Sequence, residues 1–335
     1  MTTSNIKHSA FTAIRLTSST FLIKEFDDIY SEHPHIYAII VPVSNLVTNS
    51  ASKPGTIILI DTGCGGASND PKTRITNLRE FIETVNVPDN DRRPLNGLDM
   101  TGRAKMDYIV VLTHCHYDHI RKLHSVFYSD SPIFASSHCP EFLSNIPEHS
   151  LCNFLDIHTP KYTPSVVSHG HIISNLITIL HTPGHTPDSL TIYDSTSNPP
   201  MLYVGDTLYE YEPIMFPSEG SIVDWFRSIE ALIEFVETQE RSGSEEEEPL
   251  KFKDEKHQQR VLLNAGHVTY LQPALTVLRA VMAFMEDVVS GREPVRRRWV
   301  KRGEETVEYR QSQSLAKYSL ICPERLIFDV AQSRR

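Results

Sequence analysis

The chain has 335 residues, 40% of them hydrophobic, with 32 Lys and Arg against 42 Asp and Glu and a net charge of −10. That length and apolar content fill one large core or two modest ones, which excludes wholesale disorder. The acid excess argues against a nucleic-acid partner, because phosphate binding draws on a basic stripe that displaces counterions.

The start, MTTSNIKHSAFTAIRL, lacks the cationic stretch, apolar run and small-residue cleavage site of a secretory leader. The apolar runs at 36–41 and 56–60 are far shorter than the ~20 residues that cross a bilayer, so no membrane partner is expected. Five cysteines (Cys64, Cys115, Cys139, Cys152, Cys322) are few and odd in number, which suits reduced thiols and a cytoplasmic location.

In chain order, FTAIRL with STFLIKEF, then HIYAIIVPV, then TIILIDTG read as a strand meander. Residues 71–86 predict an amphipathic helix with Ile75, Leu78, Ile82 and Val85 on one face. MDYIVVLTHCH predicts a buried strand ending in a histidine cluster, and residues 133–138 another strand. A second series follows: LITILHTPGH, SLTIYD and MLYVGDT as strands, 223–238 as a helix, RVLLNAGH as a strand and 273–290 as a helix. Two sets of strands, each finishing in helices, predict an α/β fold with four layers, an αββα sandwich.

The domain expected from this pattern spans 1–290, interrupted at 238–260 by a polar, acid-rich stretch that reads as a solvated flexible insertion. Residues 291–335 form a C-terminal extension in which VRRRWVKRGEETVEYRQ suggests a β-hairpin.

The chemistry is concentrated in His114-Cys115-His116-Tyr117-Asp118-His119, three imidazoles and a carboxylate in six residues at the end of a predicted strand. In an extended segment His114 and His116 point to one side and can meet one metal, while Cys115 points away and reads as a plain thiol. Further donors stand at later strand ends: His185 in HTPGHT, Asp206 in VGDT and His267 in NAGH. The other eleven histidines, among them His124, His138, His169, His171 and His181, lack the spacing of a second site.

These motifs resemble those of the metallo-β-lactamase superfamily, whose pattern is HxHxDH followed by separated His, Asp and His, and the resemblance runs over roughly residues 10–290. It implies the αββα sandwich of that superfamily and two zinc ions, with iron or manganese also admitted by the donors. By the resemblance His114, His116 and His185 hold the first ion, Asp118, His119 and His267 the second, and Asp206 bridges them. Asp118 is then also the catalytic proton carrier beside a metal-bound hydroxide. Asp61, in LIDTG, matches a recurrent acidic position expected to hold a ligand histidine from behind. The chain departs from the usual pattern after His119, where Ile120, Arg121 and Lys122 replace small residues.

Superfamily members cleave lactams, lactones, thioesters and phosphodiesters, so the fold does not fix the substrate. The chain is similar to a fungal, small-molecule lactamase-like branch and also to acyl-CoA thioesterases of the superfamily. The expected activity is opening of a small cyclic amide, lactam or carbamate, as in xenobiotic detoxification, on account of aromatic candidates for a pocket wall: Tyr209, Tyr211, Met215, Phe216, Trp225 and Tyr270. The alternatives are a thioesterase for acyl-CoA or glutathione-type thioesters, suggested by Arg296, Arg297, Arg298, Lys301 and Arg302, and a lactonase. A metal-binding scaffold without activity is disfavoured, since such a protein needs no open pair of ions. The expected partner is a small-molecule substrate; the oligomeric state is left open.

Overall fold

The computed structural model describes residues 8–42, 54–121, 123, 131–242, 260–312 and 316–333, and the greater part of the acid-rich stretch, 243–259, lies outside them, as does His124. The chain forms two compact units, Met1–Val167 with Ile172–Asn175, and Ser168–His171 with Leu176–Arg335.

The first unit is built on seven strands in sequential order, β1 (Phe11–Arg15), β2 (Thr20–Glu25), β3 (His35–Pro42), β4 (Gly55–Ile60), β5 (Asp107–Val111), β6 (Ile133–Ser136) and β7 (Ser165–Val167). The first four pair antiparallel, as short connections permit, and the pairs from β4 onward are parallel, as longer crossovers require. β4 is apolar throughout after its first two residues and wholly buried, the pattern of a strand covered on both faces. Its end, at Ile60, delivers Asp61; the end of β5 delivers the histidine cluster.

The helix expected over 71–86 is shorter, α1 (Leu78–Thr84). Asn77 starts it, its side chain accepting the Glu80 N–H at 3.1 Å. Ahead of that cap, Thr73–Ile75 is extended and pairs parallel with His8–Ser9, so Ile75 enters the same core from a strand. The helical spacing of Ile75 is coincidental; the cap residue marks the true start. A single helical turn, α2 (Tyr117–Ile120), follows β5.

The second unit carries β8 (Ile177–His181), β9 (Leu190–Asp194), β10 (Met201–Tyr203), β11 (Pro213–Met215), β12 (Leu262–Asn264) and β13 (Gln272–Pro273). β8, β9, β10, β12 and β13 are neighbours in that order in one sheet, with β10 and β12 parallel. Against it pack α3 (Ile222–Ser242) and α4 (Ala274–Val289), through Trp225, Ile229, Leu278 and Val281 in a core that also holds Leu202 and Leu263. α3 runs to Ser242, so the first residues of the expected insertion are helical: Thr238 Oγ1 donates to the Glu234 carbonyl and the buried Glu240 accepts the Val261 N–H. No described helix is long and apolar enough to cross a membrane.

The C-terminal stretch holds the hairpin β14 (Arg297–Lys301) and β15 (Glu304–Arg310), then β16 (Ser319–Pro323) and α5 (Arg325–Ser333). β16 pairs with both β15 and β11, and Val307, Leu320 and Leu326 join the core of the second unit. Neither β16 nor α5 is among the elements expected from the sequence pattern.

Candidate metal centre

In the first unit, four of the seven expected donors come from one turn. The polypeptide leaves β5 at Val111, and His114, His116, Asp118 and His119 are all buried by α2. The donor atoms of His114 and His116 lie within 4.8 Å of each other, and the His114 ring is 4.3 Å from that of His119. Asp61 organises the turn from beneath. Its Oδ1 accepts the Thr113 N–H at 2.8 Å, and its Oδ2 accepts the Thr113 hydroxyl at 2.7 Å and Nδ1–H of His119 at 2.8 Å. Thr62 adds a backbone N–H to the His119 carbonyl at 2.7 Å.

These bonds settle two tautomers. A carboxylate only accepts, so His119 carries its proton on Nδ1 and turns the Nε2 lone pair outward. The Thr113 hydroxyl spends its proton on Asp61, so its 3.1 Å contact with His114 Nδ1 is one in which the ring donates, and His114 too presents Nε2 as a lone pair. The expected role of Asp61 is thus what the structure contains, extended by Thr113 to a second histidine. His119 Nε2 lies 3.3 Å from Asp118 Oδ2. Two acceptors held that close repel unless a cation lies between them, and two ligands each ~2.0 Å from a tetrahedral ion are about 3.3 Å apart.

In the second unit the remaining three donors come from three separate turns, after β8, β10 and β12. His185 gives its Nδ1–H to the Met215 carbonyl at 2.7 Å, which leaves its Nε2 lone pair 4.0 Å from Asp206 Oδ2. The same oxygen is 3.5 Å from His267 Nε2, so one carboxylate oxygen faces two imidazoles. The turns carrying Asp206 and His267 are laced together by Gly266 N–H to the Gly205 carbonyl at 2.7 Å and Glu210 N–H to Thr269 Oγ1 at 2.7 Å. Imidazole nitrogens and carboxylate oxygens are the donor types that suit a divalent ion such as zinc.

The expected aromatic wall is corrected in large part. Tyr209, Phe216 and Trp225 are core residues, and Tyr209 sets its ring 5.6 Å from that of His267 as packing. Tyr211 alone of the six is strongly exposed, at 66%. Met215 and Tyr270 are half-buried, and the core claims Tyr209 and Phe216 because the segment 208–216 runs from a buried turn straight into β11, whose neighbour is β16. Cys115 is a buried free thiol, as are Cys64, Cys152 and Cys322; Cys139 is free and partly exposed. The basic strand β14 faces acids: Arg297 lies opposite Glu308, Lys301 opposite Glu304, and Arg298 is hydrogen-bonded to Glu324. Among the described residues the groups of His, Cys, Asp and Glu able to hold an ion contain only the seven expected donors. A cavity of about 260 Å³ in the second unit, lined by His169, His181, Leu232 and Phe235 among others, contains none of them. Sequence reasoning missed Thr113, the Met215 carbonyl and Thr269.

Residues 101–241 match the sequence profile of the metallo-beta-lactamase superfamily. A metallo-beta-lactamase family protein of Thermus thermophilus superposes with a TM-score of 0.50 at 15% identity, covering 83% of this chain and 82% of that one. A metallo-beta-lactamase from Pontibacter korlensis superposes with a TM-score of 0.49 at 14% identity, over 83% of this chain and 99% of that one. The chain is also 27% identical, over 97% of its length and 90% of the other's, to an Aspergillus versicolor protein named "Putative transcription factor avaE". The fold is the metallo-β-lactamase fold, α/β as the strand and helix pattern implied. The family match spans residues 101–241, which carry six of the seven expected donors, and members of that superfamily are mainly metallo-hydrolases.

Proposed function

We propose that the chain is a dinuclear metallo-hydrolase that opens a small cyclic amide, lactam or carbamate. In this reading His114, His116 and His185 hold one ion, Asp118, His119 and His267 the other, and Asp206 is shared. The observation that carries it is the facing of acceptors, His119 Nε2 against Asp118 Oδ2 in one unit and His185 Nε2 toward Asp206 Oδ2 in the other, with His267 Nε2 3.5 Å from that same oxygen. Zinc suits these borderline donors best, and iron and manganese fit the same set. When bound, such a pair of ions supplies an ionised water at neutral pH and Lewis-acid polarisation of the substrate carbonyl.

The protein's own residues do the rest. Asp61 and Thr113 fix the tautomers of His119 and His114, and the Met215 carbonyl fixes that of His185. Asp118 accepts the nucleophile's proton and returns it to the leaving atom. That return favours an amide over a thioester: a thiolate departs unaided, whereas an amide nitrogen leaves only once protonated. The acids opposite β14 also weaken the case for a phosphate-binding strip. Transcriptional control, suggested by the name of the Aspergillus versicolor relative, is disfavoured by the net charge of −10. The partner is then a small molecule, and the five free thiols fit a cytosolic setting.

The test is a panel of lactams, cyclic carbamates, lactones and acyl thioesters presented to zinc-reconstituted protein, alongside metal analysis. About two ions per chain and a kcat/KM highest on a lactam or cyclic carbamate are expected. Fewer than one ion per chain overturns the dinuclear centre, and a preference for thioesters or lactones replaces the substrate class.

A further inference from the structure

The first turns of α3 lie against two of the three ligand-bearing turns of the second unit. On one side is the segment 183–185. Ser221, whose hydroxyl accepts the Asp224 N–H at 3.1 Å as a helix cap, gives its own N–H to the Gly184 carbonyl at 2.8 Å. Two turns later the Ser228 hydroxyl donates to the Pro183 carbonyl at 2.7 Å. The approach is so close that a Cβ on Gly184, whose φ is +156°, would sit 2.7 Å from Trp225 Cα. On the other side is the turn 205–207. The indole of Trp225, fully buried, donates Nε1–H to the Thr207 carbonyl at 2.7 Å. His185 and Asp206 are the residues that these two turns carry.

Core filling does not explain the indole. A phenylalanine fills apolar space equally well, but a buried indole N–H has to find an acceptor, and here it finds the carbonyl next to Asp206. A rigid ring fixed to a helix is a strut of constant length, where a flexible side chain would not be.

We infer that Trp225 is a positioning residue for the metal centre: together with Ser228 it makes α3 a splint that sets the spacing of His185 and Asp206. The inference rests on the donor assignment proposed above, since it is that assignment which gives the spacing a use.

The test uses the full-length protein and its Trp225→Phe and Ser228→Ala variants. Zinc affinity is measured by titration against a chelator, and amide exchange is followed on the metal-free proteins. Each variant should lose roughly 10-fold in zinc affinity, the scale for removing a bond that orients a ligand. In the metal-free state Trp225→Phe should speed exchange at 206–208 and Ser228→Ala at 183–186, with thermal midpoints within a few degrees of wild type. A purely packing role for Trp225 would lower the midpoint and leave zinc affinity untouched, which overturns the inference. Unchanged exchange at 206–208 in Trp225→Phe overturns it also. If wild type binds no zinc while the two turns loosen as stated, the splint stands and the donor assignment falls.

Discussion

The two units hold their donors by opposite means. In the first, His114, His116, Asp118 and His119 share one six-residue turn, so chain connectivity sets their spacing and Asp61 with Thr113 sets their orientation. In the second, His185, Asp206 and His267 come from turns after three different strands, and nothing local relates them. Their spacing is held by hydrogen bonds between backbones, by Trp225 and by the carbonyl of Met215 at the end of β11. A compact motif tolerates distant change, whereas a dispersed one inherits every shift in the elements that brace it.

That contrast is probed hardest at Asp118, where the proposed roles of ligand and proton carrier coincide. Asp118→Asn should lower turnover by at least ~10²-fold while the His114 and His116 pair still binds its ion. Near-normal turnover with metal retained would reduce Asp118 to a ligand alone. Asp61→Ala comes next: it leaves all seven donors in place yet removes the acceptor that fixes His119 and, through Thr113, His114. A loss of about 10- to 100-fold in zinc affinity is expected, read by chelator competition. If the affinity is unchanged, connectivity alone orients the turn.

The second unit is broken by a methyl group. Gly184→Ala puts a Cβ against the Trp225 backbone in a conformation that L residues avoid, and should cost about 2 kcal/mol in chemical denaturation. An unchanged midpoint would show that the 183–185 segment can slide along α3. The smallest effect concerns the segment after Asp61. Burial raises the Glu25 carboxyl to about 7, against the N–H bonds it accepts from Gly66 and Gly65 and with Asp28 adding to the rise. A raised carboxyl stabilises the fold most below its ordinary value of 4.5, and that stability is lost as the pH climbs through about 7. Metal-free wild type should therefore lose about 1 kcal/mol between pH 6 and 8 relative to Glu25→Gln. Parallel pH profiles of the two proteins would remove Glu25 from the account.

The sequence by itself determined long apolar strands such as β4, buried along its whole length, and the two long helices, whose periodic faces fill the core of the second unit. It also singled out the candidate donors, because metal chemistry restricts them to a few side chains at strand ends, and it singled out Asp61 by its place after β4. Tertiary structure decided the rest. Ile75 has helical spacing but lies in a strand, because Asn77 caps the helix after it. Tyr209 follows Asp206 by three residues, yet like Phe216 and Trp225 it belongs to the core. The acceptors that orient His185 and hold the Asp206 turn are carbonyls of Met215 and Thr207, and a carbonyl is the same in every residue, so no letter of the sequence announces which one a histidine or an indole will find.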